Sequence, residues 1–214
     1  MNKAVRKKML IKTYESLFGV FGQQHCTLDY RAPHELMIAT IMSAQCTDAR
    51  VNKVTAELFV KYPDVEAFAS ARQEELEDAI KSVGFYHNKA KHIINACRDV
   101  LERFSGKVPE SMDELTSLDG IGRKTANVIL GDAFGIPGFP VDTHVKRVLQ
   151  RLGLVSSDDP VRIEREVTAL VPDKLWVNFS HIIILHGRTV CLARKPRCEE
   201  CVLSSDCEYY KNKK

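Results

Sequence analysis

Four cysteines near the C-terminal end form the strongest chemical pattern in the sequence. Cys191, Cys198, Cys201 and Cys207 follow a C-x6-C-x2-C-x5-C spacing, so four thiolates can converge on one centre. Four sulfur ligands suit either a tetrahedral zinc ion or an iron-sulfur cluster. Structural zinc usually takes two close pairs of ligands, and only Cys198 and Cys201 are a close pair here, which slightly favours the cluster. Four buried thiols without metal are the least favoured interpretation.

A short basic loop lies between the first two of these cysteines. Arg194, Lys195 and Arg197 place three cations between Cys191 and Cys198. A loop held at both ends by a metal centre could clamp the phosphates of a polyanion. The same cations could instead offset the negative charge of four thiolates, and the two interpretations carry equal weight.

A second chemical pattern lies at residues 115–127. Gly120 and Gly122 predict a tight hairpin between two helices, because only small residues permit such a turn. Backbone N–H groups at the start of the second helix, beside Arg123, can hold a DNA phosphate without recognising base sequence. The segment lacks the third glycine and the preceding strand of a dinucleotide site, and it lacks the glycine before Lys124 that a phosphate loop requires.

Lys124 and Asp142 are the two candidate catalytic residues. Lys124 stands in the first turn of the helix after the hairpin, where the helix dipole favours a neutral amine. A lysine of ordinary pKa is neutral in only roughly one molecule in 2,500 at pH 7, so a nucleophilic role requires desolvation or a positive neighbour. Phosphate contact is the equally weighted alternative.

Asp142 begins the next helix, in the segment Val141-Asp142-Thr143-His144, and is expected to cap it. Most aspartates at such positions only cap a helix. A carboxylate fixed in this way can also stabilise a developing cation or accept a proton, so a catalytic role stays open.

Apolar spacing is helical almost throughout the chain and predicts an all-α fold, because the alternating pattern of strands is absent. One long helix face is traced by Ala90, Ile93, Ile94, Cys97, Val100, Leu101 and Phe104. Residues 36–42 are apolar almost all round and predict a short buried helix. Residues 111–114 form a predicted capping box, and residues 157–160 predict another helix start. Residues 135–140 are the expected linker between two helical halves.

Length and composition exclude several classes of protein. With 214 residues and 44% hydrophobic content, the chain can bury a core without disulfides. Seven cysteines, four of them clustered, indicate a reducing compartment, so we expect a cytoplasmic protein; Cys26, Cys46 and Cys97 are expected in the core. No apolar run approaches the roughly 18 residues that cross a bilayer, so no membrane association is expected.

The formal net charge of +3 is modest, but the cations concentrate at both ends of the chain. They would form one basic face for a polyanion if the two ends met in the fold. The cations concerned are Arg6, Lys7, Lys8 and Lys12 at one end and Arg188, Arg194, Lys195, Arg197, Lys211, Lys213 and Lys214 at the other.

Together these motifs resemble those of endonuclease III, a family of helix-hairpin-helix DNA glycosylases. The matching segments occur in the family's order and cover nearly the whole chain: Ser43-Ala44-Gln45-Cys46-Thr47-Asp48, Leu118-Asp119-Gly120-Ile121-Gly122-Arg123-Lys124-Thr125-Ala126-Asn127, Val141-Asp142-Thr143-His144, Leu185-His186-Gly187-Arg188 and the four cysteines. The resemblance implies a helix-hairpin-helix glycosylase fold. A six-helix barrel domain at residues 26–136 would be inserted into an iron-sulfur cluster domain of residues 1–25 and 137–214, with a DNA-binding cleft between them.

The resemblance also implies roles for individual residues. Lys124 would be the Schiff-base nucleophile, Asp142 the catalytic carboxylate, and the four cysteines the ligands of a 4Fe-4S cluster that positions the basic loop. Gln45 would fill the gap left by a flipped nucleotide, because C1′ is inaccessible inside a stacked duplex. The expected enzyme is a monomer that acts on double-stranded DNA. It would remove oxidised pyrimidines and cleave the strand 3′ to the lesion or abasic site by β-elimination.

Two positions depart from the family's pattern. Asp119 stands where the family usually has proline, so we expect a looser hairpin, a negative charge near the bound phosphate and weaker DNA affinity. Phe85 occupies the place of an apolar wedge that is commonly leucine. We expect the bulkier wedge to change which lesions are extracted.

Two other functions share some of these features. The related adenine glycosylase that acts opposite oxidised guanine typically lacks the lysine and adds a C-terminal domain. This sequence has Lys124 and ends seven residues after Cys207, from which we expect no such domain. A non-catalytic DNA-binding module would need only the hairpin and the metal, and the presence of both Lys124 and Asp142 argues against it.

Overall fold

The computed structural model describes residues 2–213, and every regular element within them is helical. The expectation of an all-α fold is confirmed. Lys214, the last of the predicted basic residues, lies outside the described residues. The chain divides into two compact units, one of Cys26–Ile136 and one of Met1–His25 together with Pro137–Lys214.

Twelve α-helices are found in residues 2–213. In chain order they are α1 (Lys3–Phe21), α2 (Pro33–Met42), α3 (Asp48–Lys61), α4 (Val65–Ala69), α5 (Gln73–Ile80), α6 (Tyr86–Phe104), α7 (Met112–Thr116), α8 (Arg123–Val128), α9 (Thr143–Arg151), α10 (Pro160–Thr168), α11 (Trp176–Thr189) and α12 (Glu208–Lys211). Short 3-10 turns lie at Lys81–Val83, Asp173–Leu175 and Cys198–Glu200, and a π-helical segment, Ile129–Ala133, continues α8. None of these helices is long and apolar enough to cross a membrane.

Helix α2 forms the centre of the Cys26–Ile136 unit. Every residue from position 35 to 42 is buried, which confirms the predicted buried helix. The single acidic residue in this stretch, Glu35, is satisfied locally by the backbone N–H and the guanidinium of Arg31. Because a fully apolar helix must be covered on all sides, α2 is packed against α3, α6 and α8.

Helix α6 supplies the long apolar face predicted from the sequence. Five of the seven predicted positions are buried, and Leu101 and Phe104 are partly buried against the same core. Cys97 is fully buried on this face, and burial raises the pKa of its thiol to about 12, so it stays a neutral core residue. Cys26 and Cys46 are only half-buried.

The other unit has its own core, which is formed by α1, α9, α10 and α11. Phe139 is fully buried in this core, so part of the expected linker at residues 135–140 is packed rather than loose. The predicted helix starts are found as expected: Asp159 caps α10 with Pro160 in its first turn. In the Cys26–Ile136 unit, Ser111 caps α7 through the backbone N–H of Glu114.

The cations of α1 are partly neutralised by acidic neighbours in their own unit. Arg6 pairs with Glu166 at 3.3 Å, and Lys12 pairs with Asp206 at 2.5 Å. Two of the four cations named at this end of the chain, Arg6 and Lys12, are therefore paired with carboxylates. Exposed ion pairs of this kind add little to stability, but they reduce the charge available to a polyanion.

Candidate functional site

The predicted hairpin joins α7 to α8 in the Cys26–Ile136 unit. Gly120 has a φ of +74°, and the next residue, Ile121, is inserted into the core. A Cβ atom at position 120 would lie 2.7 Å from the Cβ of His92 on α6. Glycine is therefore required here for both its backbone conformation and the close approach of α6. Gly122 precedes α8 in an extended conformation.

Asp119 anchors the hairpin, and the expectation of a looser turn is wrong. Its carboxylate accepts hydrogen bonds from Nδ1 of His92 at 2.7 Å and from Nδ2 of Asn95 at 2.8 Å, both on α6. Burial acts to raise the pKa of the Asp119 carboxyl, but these hydrogen bonds outweigh it and hold the pKa below its usual value. The negative charge is thus engaged by α6.

Lys124 is exposed in the first turn of α8, two residues after Gly122. Ala126 and Asn127 are buried on the same helix, so the lysine projects from an anchored element. Burial raises the pKa of the Cys26 thiol to about 12, while the charge of Lys124 acts in the opposite direction, which shows that the amine lies within electrostatic range of this thiol.

Two carboxylates that were not predicted share these surroundings. Asp132 and Asp48 both act to raise the pKa of Cys26. Asp132 lies in the π-helical segment after α8 and accepts the backbone N–H of Cys26 at 3.2 Å. Since π-helical turns often occur at functional sites, this one is a further candidate feature beside Lys124. A π-helical turn has no local residue signature, so this feature could not be predicted from the sequence.

Gln45 and Phe85 line one pocket in the same unit. Both are exposed non-glycine residues with left-handed backbone conformations, at φ values of +54° and +48°. Such conformations cost on the order of 1 kcal/mol and concentrate at functional sites. The pocket, about 280 Å³ in volume, is also lined by Gly120. The structure thus brings together three of the residues predicted to contact DNA.

Lys89 and His92 line the same pocket and were not predicted from the sequence. The amine of Lys89 is buried, donates to the carbonyl oxygen of Val83 at 2.9 Å, and has its pKa lowered by burial. These two residues lie four and seven positions after Phe85, on the same side of the helix as Phe85. Their helical spacing from Phe85 was the one sequence feature that could have indicated them.

Asp142 caps α9 in the other unit, as predicted. Its Oδ1 atom accepts the backbone N–H groups of His144 and Val145, each at 2.8 Å. The side chain is half-buried. Both capping bonds use one oxygen, which leaves Oδ2 of a rigidly held carboxylate for other chemistry.

The four predicted metal-ligating cysteines line one cavity in the same unit as Asp142. None of them forms a disulfide, and all are partly buried. Burial raises the pKa of Cys201, and the three other thiols raise it further. Because four neighbouring thiolates repel one another, the donor set fits a multiply charged metal cluster that compensates them. No three His, Cys, Asp or Glu side chains in residues 2–213 cluster around a single-ion position.

Hydrogen-bond donors around these sulfur atoms also fit a cluster. The guanidinium of Arg151 donates to Sγ of Cys191 at 3.4 Å, and the backbone N–H of Leu203 donates to Sγ of Cys201 at 3.4 Å. Buried His186, whose pKa is lowered to about 4, lies with Nε2 3.6 Å from the latter sulfur. Donors of this kind stabilise the negative sulfur ligands of iron-sulfur clusters.

The three cations of the basic loop are all exposed: Arg194, Lys195 and Arg197. Lys195 has a left-handed backbone conformation at φ +49°. The loop is closed by the backbone N–H of Arg197, which donates to the carbonyl oxygen of Val190 at 3.0 Å. The cations therefore project from a closed loop whose ends meet at the cysteine cavity.

Known proteins with the same pattern identify the family. The family of HhH-GPD superfamily base excision DNA repair proteins matches residues 38–173, more than half of the chain. A curated endonuclease III from Synechocystis sp. is 57% identical over 183 residues, which make up 85% of this chain and 84% of that protein. This chain belongs to the endonuclease III family.

Solved endonuclease III structures share its fold. A non-covalent endonuclease III–DNA complex matches with a TM-score of 0.92 and 41% identity, over 97% of each chain. A trapped endonuclease III–DNA covalent intermediate also matches with a TM-score of 0.92 and 41% identity, over 97% of this chain and 98% of that one. As an endonuclease III, the chain is a DNA glycosylase and abasic-site lyase of base excision repair.

A second family model covers the cysteine-rich segment of this chain. The iron-sulfur binding domain of endonuclease III matches residues 191–207, the segment that begins with Cys191 and ends with Cys207. The cofactor is a 4Fe-4S cluster, and the preference for iron-sulfur over zinc is confirmed.

Proposed function

We propose that this endonuclease III removes oxidised pyrimidines from duplex DNA through a lysine Schiff base and then cleaves the strand 3′ to the lesion. Lys124 carries the proposal: it is an exposed amine on an anchored helix directly after the hairpin. The family includes a protein, 41% identical, that was trapped as a covalent intermediate with DNA. A covalent intermediate requires a nucleophile, and an amine in this position is suited to form an imine.

The chemistry begins with a neutral amine. Nζ of Lys124 attacks C1′, the bond from C1′ to the base nitrogen breaks, and the base leaves with the electron pair and takes up a proton. Opening of the sugar ring gives a protonated imine between Nζ and C1′. A proton is then lost from C2′, and its electrons expel the phosphate on the 3′ oxygen. Hydrolysis of the imine returns the free lysine.

Asp142 supports these proton transfers in the proposal. The oxygen that does not cap α9 would accept a proton from the ammonium ion of Lys124, which leaves the neutral amine that attacks C1′. Once this proton has passed on to the departing base, the carboxylate would stabilise the positive charge that develops on the sugar. Because the cap fixes the carboxylate, little reorganisation is needed when charge develops.

The remaining candidate residues would hold the DNA. Gln45 would fill the gap left by the flipped nucleotide, and Phe85 would act as the wedge. Phosphates would be held by two groups of residues, the hairpin residues Gly120, Gly122 and Arg123 and the basic-loop residues Arg194, Lys195 and Arg197. The proposed substrate is double-stranded DNA that contains damaged pyrimidines or abasic sites. The enzyme would bind it as a monomer, in the cytoplasm.

Cys191, Cys198, Cys201 and Cys207 would hold the 4Fe-4S cluster. When bound, the cluster supplies a rigid cross-link that fixes both ends of the basic loop. Cleavage of a glycosidic bond needs no electron transfer, so we propose that the cluster has a structural role.

Borohydride trapping tests the assignment of the nucleophile. Wild-type protein and the Lys124→Gln variant are incubated with duplexes that contain thymine glycol, dihydrouracil or an abasic site, in the presence of borohydride. We expect a covalent adduct with wild type and none with Lys124→Gln, because a glutamine amide cannot form the imine that is reduced. Lys107→Gln, which removes another exposed lysine of the same unit, should trap like wild type.

Two results would contradict the proposal. An adduct formed by Lys124→Gln would show that another amine is the nucleophile. DNA binding by wild type without strand scission or trapping would indicate a binding module instead of the enzyme described here.

A further inference from the structure

Asp119, His92 and Asn95 form a polar cluster between the hairpin and α6, which we call the hairpin clamp. The two hydrogen bonds to Asp119 measure 2.7 and 2.8 Å, and they use both carboxylate oxygens. A carboxylate only accepts, so His92 donates from Nδ1 and Asn95 from its amide. Hydrogen bonds to an ionised group are stronger than neutral ones. The clamp therefore fixes the Asp119 side chain in position and orientation.

The clamp also restrains the residue that follows Asp119. Gly120 has a left-handed backbone, and the space where its Cβ would be is filled by His92, with the Cβ and Cγ atoms of His92 at 2.7 and 3.0 Å. His92 thus binds Asp119 and packs against Gly120. Loss of the imidazole would release two consecutive hairpin residues at once.

The same helix links the clamp to the candidate wedge. Phe85 immediately precedes α6 and is 65% exposed, and His92 lies two helical turns further along the same face. Both residues line the pocket that Gln45 and Gly120 also line. Helix α6 is therefore a rigid connection between the wedge and the hairpin.

We propose that His92 and Asp119 are positioning residues for DNA binding, and this inference rests on the proposed function of the hairpin. The clamp holds the hairpin at a fixed distance from Gln45 and Phe85, so both regions can engage one duplex without further ordering. A hairpin freed from α6 loses conformational entropy when it binds, which weakens affinity. The chemistry at Lys124, once DNA is bound, is unaffected.

A proline at position 119 would restrain the hairpin covalently, whereas the clamp restrains it with hydrogen bonds. A proline ring restrains the backbone by fixing φ near −65°, whereas the carboxylate of Asp119 restrains it from outside. We therefore expect His92 to contribute nothing to DNA affinity once residue 119 is proline. If His92 only stabilised the fold, the Asp119→Pro variant would still need it.

A double-mutant cycle tests the inference with an abasic-site duplex as substrate. Four proteins are compared: wild type, His92→Ala, Asp119→Pro and the double variant. We expect His92→Ala to raise KM about tenfold with kcat within about twofold, since one hydrogen bond to a charged group is lost. Asp119→Pro should stay close to wild type, and adding His92→Ala to it should raise KM no further.

Controls separate the clamp from general stability. His87→Ala removes the other histidine–carboxylate pair of α6, with Glu77, and should leave KM unchanged. His92→Gln keeps an amide donor beside Asp119 and should recover most of the affinity. If His92→Ala melts below the assay temperature, His92→Leu, which keeps side-chain bulk against Gly120 but has no donor, replaces it in the cycle.

The outcomes distinguish the clamp from the proposed function. Wild type that neither cleaves nor traps DNA would contradict the proposed function itself. If wild type cleaves DNA, an unchanged KM in His92→Ala overturns the clamp. A double variant that is as impaired as His92→Ala alone would also overturn the clamp, and so would an effect confined to kcat.

Discussion

The carboxylate of Asp142 combines a structural and a chemical task in one residue. Oδ1 accepts two backbone N–H groups at the start of α9, which accounts for aspartate at this position without any catalysis. The proposed chemistry uses the charge and the other oxygen. Because the cap needs an acceptor while the chemistry needs a charge, substitutions can separate the two tasks.

Asp142→Asn and Asp142→Ala should therefore differ in stability and agree in activity. Asparagine caps as well as aspartate, so we expect the free energy of unfolding to change by less than about 0.5 kcal/mol, while alanine should cost about 1 kcal/mol. Both variants should lower the single-turnover rate on an abasic duplex by on the order of 100-fold, because the charge is lost. Denaturant unfolding and quenched-flow cleavage measure the two effects.

Asp159 provides the matched control for Asp142. It caps α10 through the backbone N–H of Val161 at 3.0 Å and is exposed. Asp159→Ala should lose a similar stability and keep full activity. If Asp142→Asn keeps full turnover, Asp142 serves only as a helix cap and its catalytic role is contradicted.

The elements α9 and α11 approach closely because residue 187 is glycine. A Cβ atom there would lie 2.9 Å from the Cβ of His144, and the carbonyl oxygen of Gly187 accepts a hydrogen bond from Arg147 at 2.8 Å. His144 and Arg147 belong to the helix that Asp142 caps. The packing of α11 therefore helps to place the candidate catalytic carboxylate.

Gly187→Ala should destabilise the protein by about 1–3 kcal/mol, because the added methyl overpacks the contact between the two helices. The loss should occur although alanine favours a helix by about 1 kcal/mol over glycine. Gly19→Ala is the matched control: position 19 lies in α1 with no atom within 4 Å of the added Cβ, so this change should stabilise. Thermal unfolding compares the two variants, and equal stabilisation would mean that the helices separate without cost.

For the whole molecule, the distribution of charge matters more than the net value. Acidic partners engage Arg6 and Lys12, whereas Arg194, Lys195 and Arg197 project from a closed loop. A phosphate clamp and a charge shield for the cluster remain distinct roles for this loop. They predict different effects on salt dependence and on iron content.

Replacing the three loop cations by glutamine should flatten the salt dependence of DNA binding. If each contacts a phosphate, the slope of log affinity against log salt should fall by about 0.9 per contact, with iron content unchanged. A triple glutamine variant of Lys53, Lys61 and Lys107, three exposed lysines with no expected phosphate contact, loses the same charge and should change the slope by less than about 0.5. Lost iron with an unchanged slope would favour the charge-shielding role.

Much of the fold and the candidate site followed from local pattern. Helix α2, the apolar face of α6 and the cap at Asp142 depend on residues within one or two turns of each other, and all three were predicted. The hairpin was predicted from its glycines. The looser hairpin expected from Asp119 was predicted wrongly, because the absence of proline shows which restraint is missing and not which side chains of α6 replace it.

The sequence by itself determined the helical class, the helix caps, the hairpin glycines and the cysteine spacing, since each arises from interactions between chain neighbours. Only the tertiary structure decided that Asp119 is held by α6 and that His92 and Lys89 share a pocket with Gln45 and Phe85. It also decided that Gly187 lets α9 pack closely against α11. These contacts join residues far apart in the chain, 27 positions in the case of His92 and Asp119. Apart from Phe85, Lys89 and His92, which belong to α6 and its N-cap, these side chains have no fixed spacing, so only the packing of whole helices brings them together.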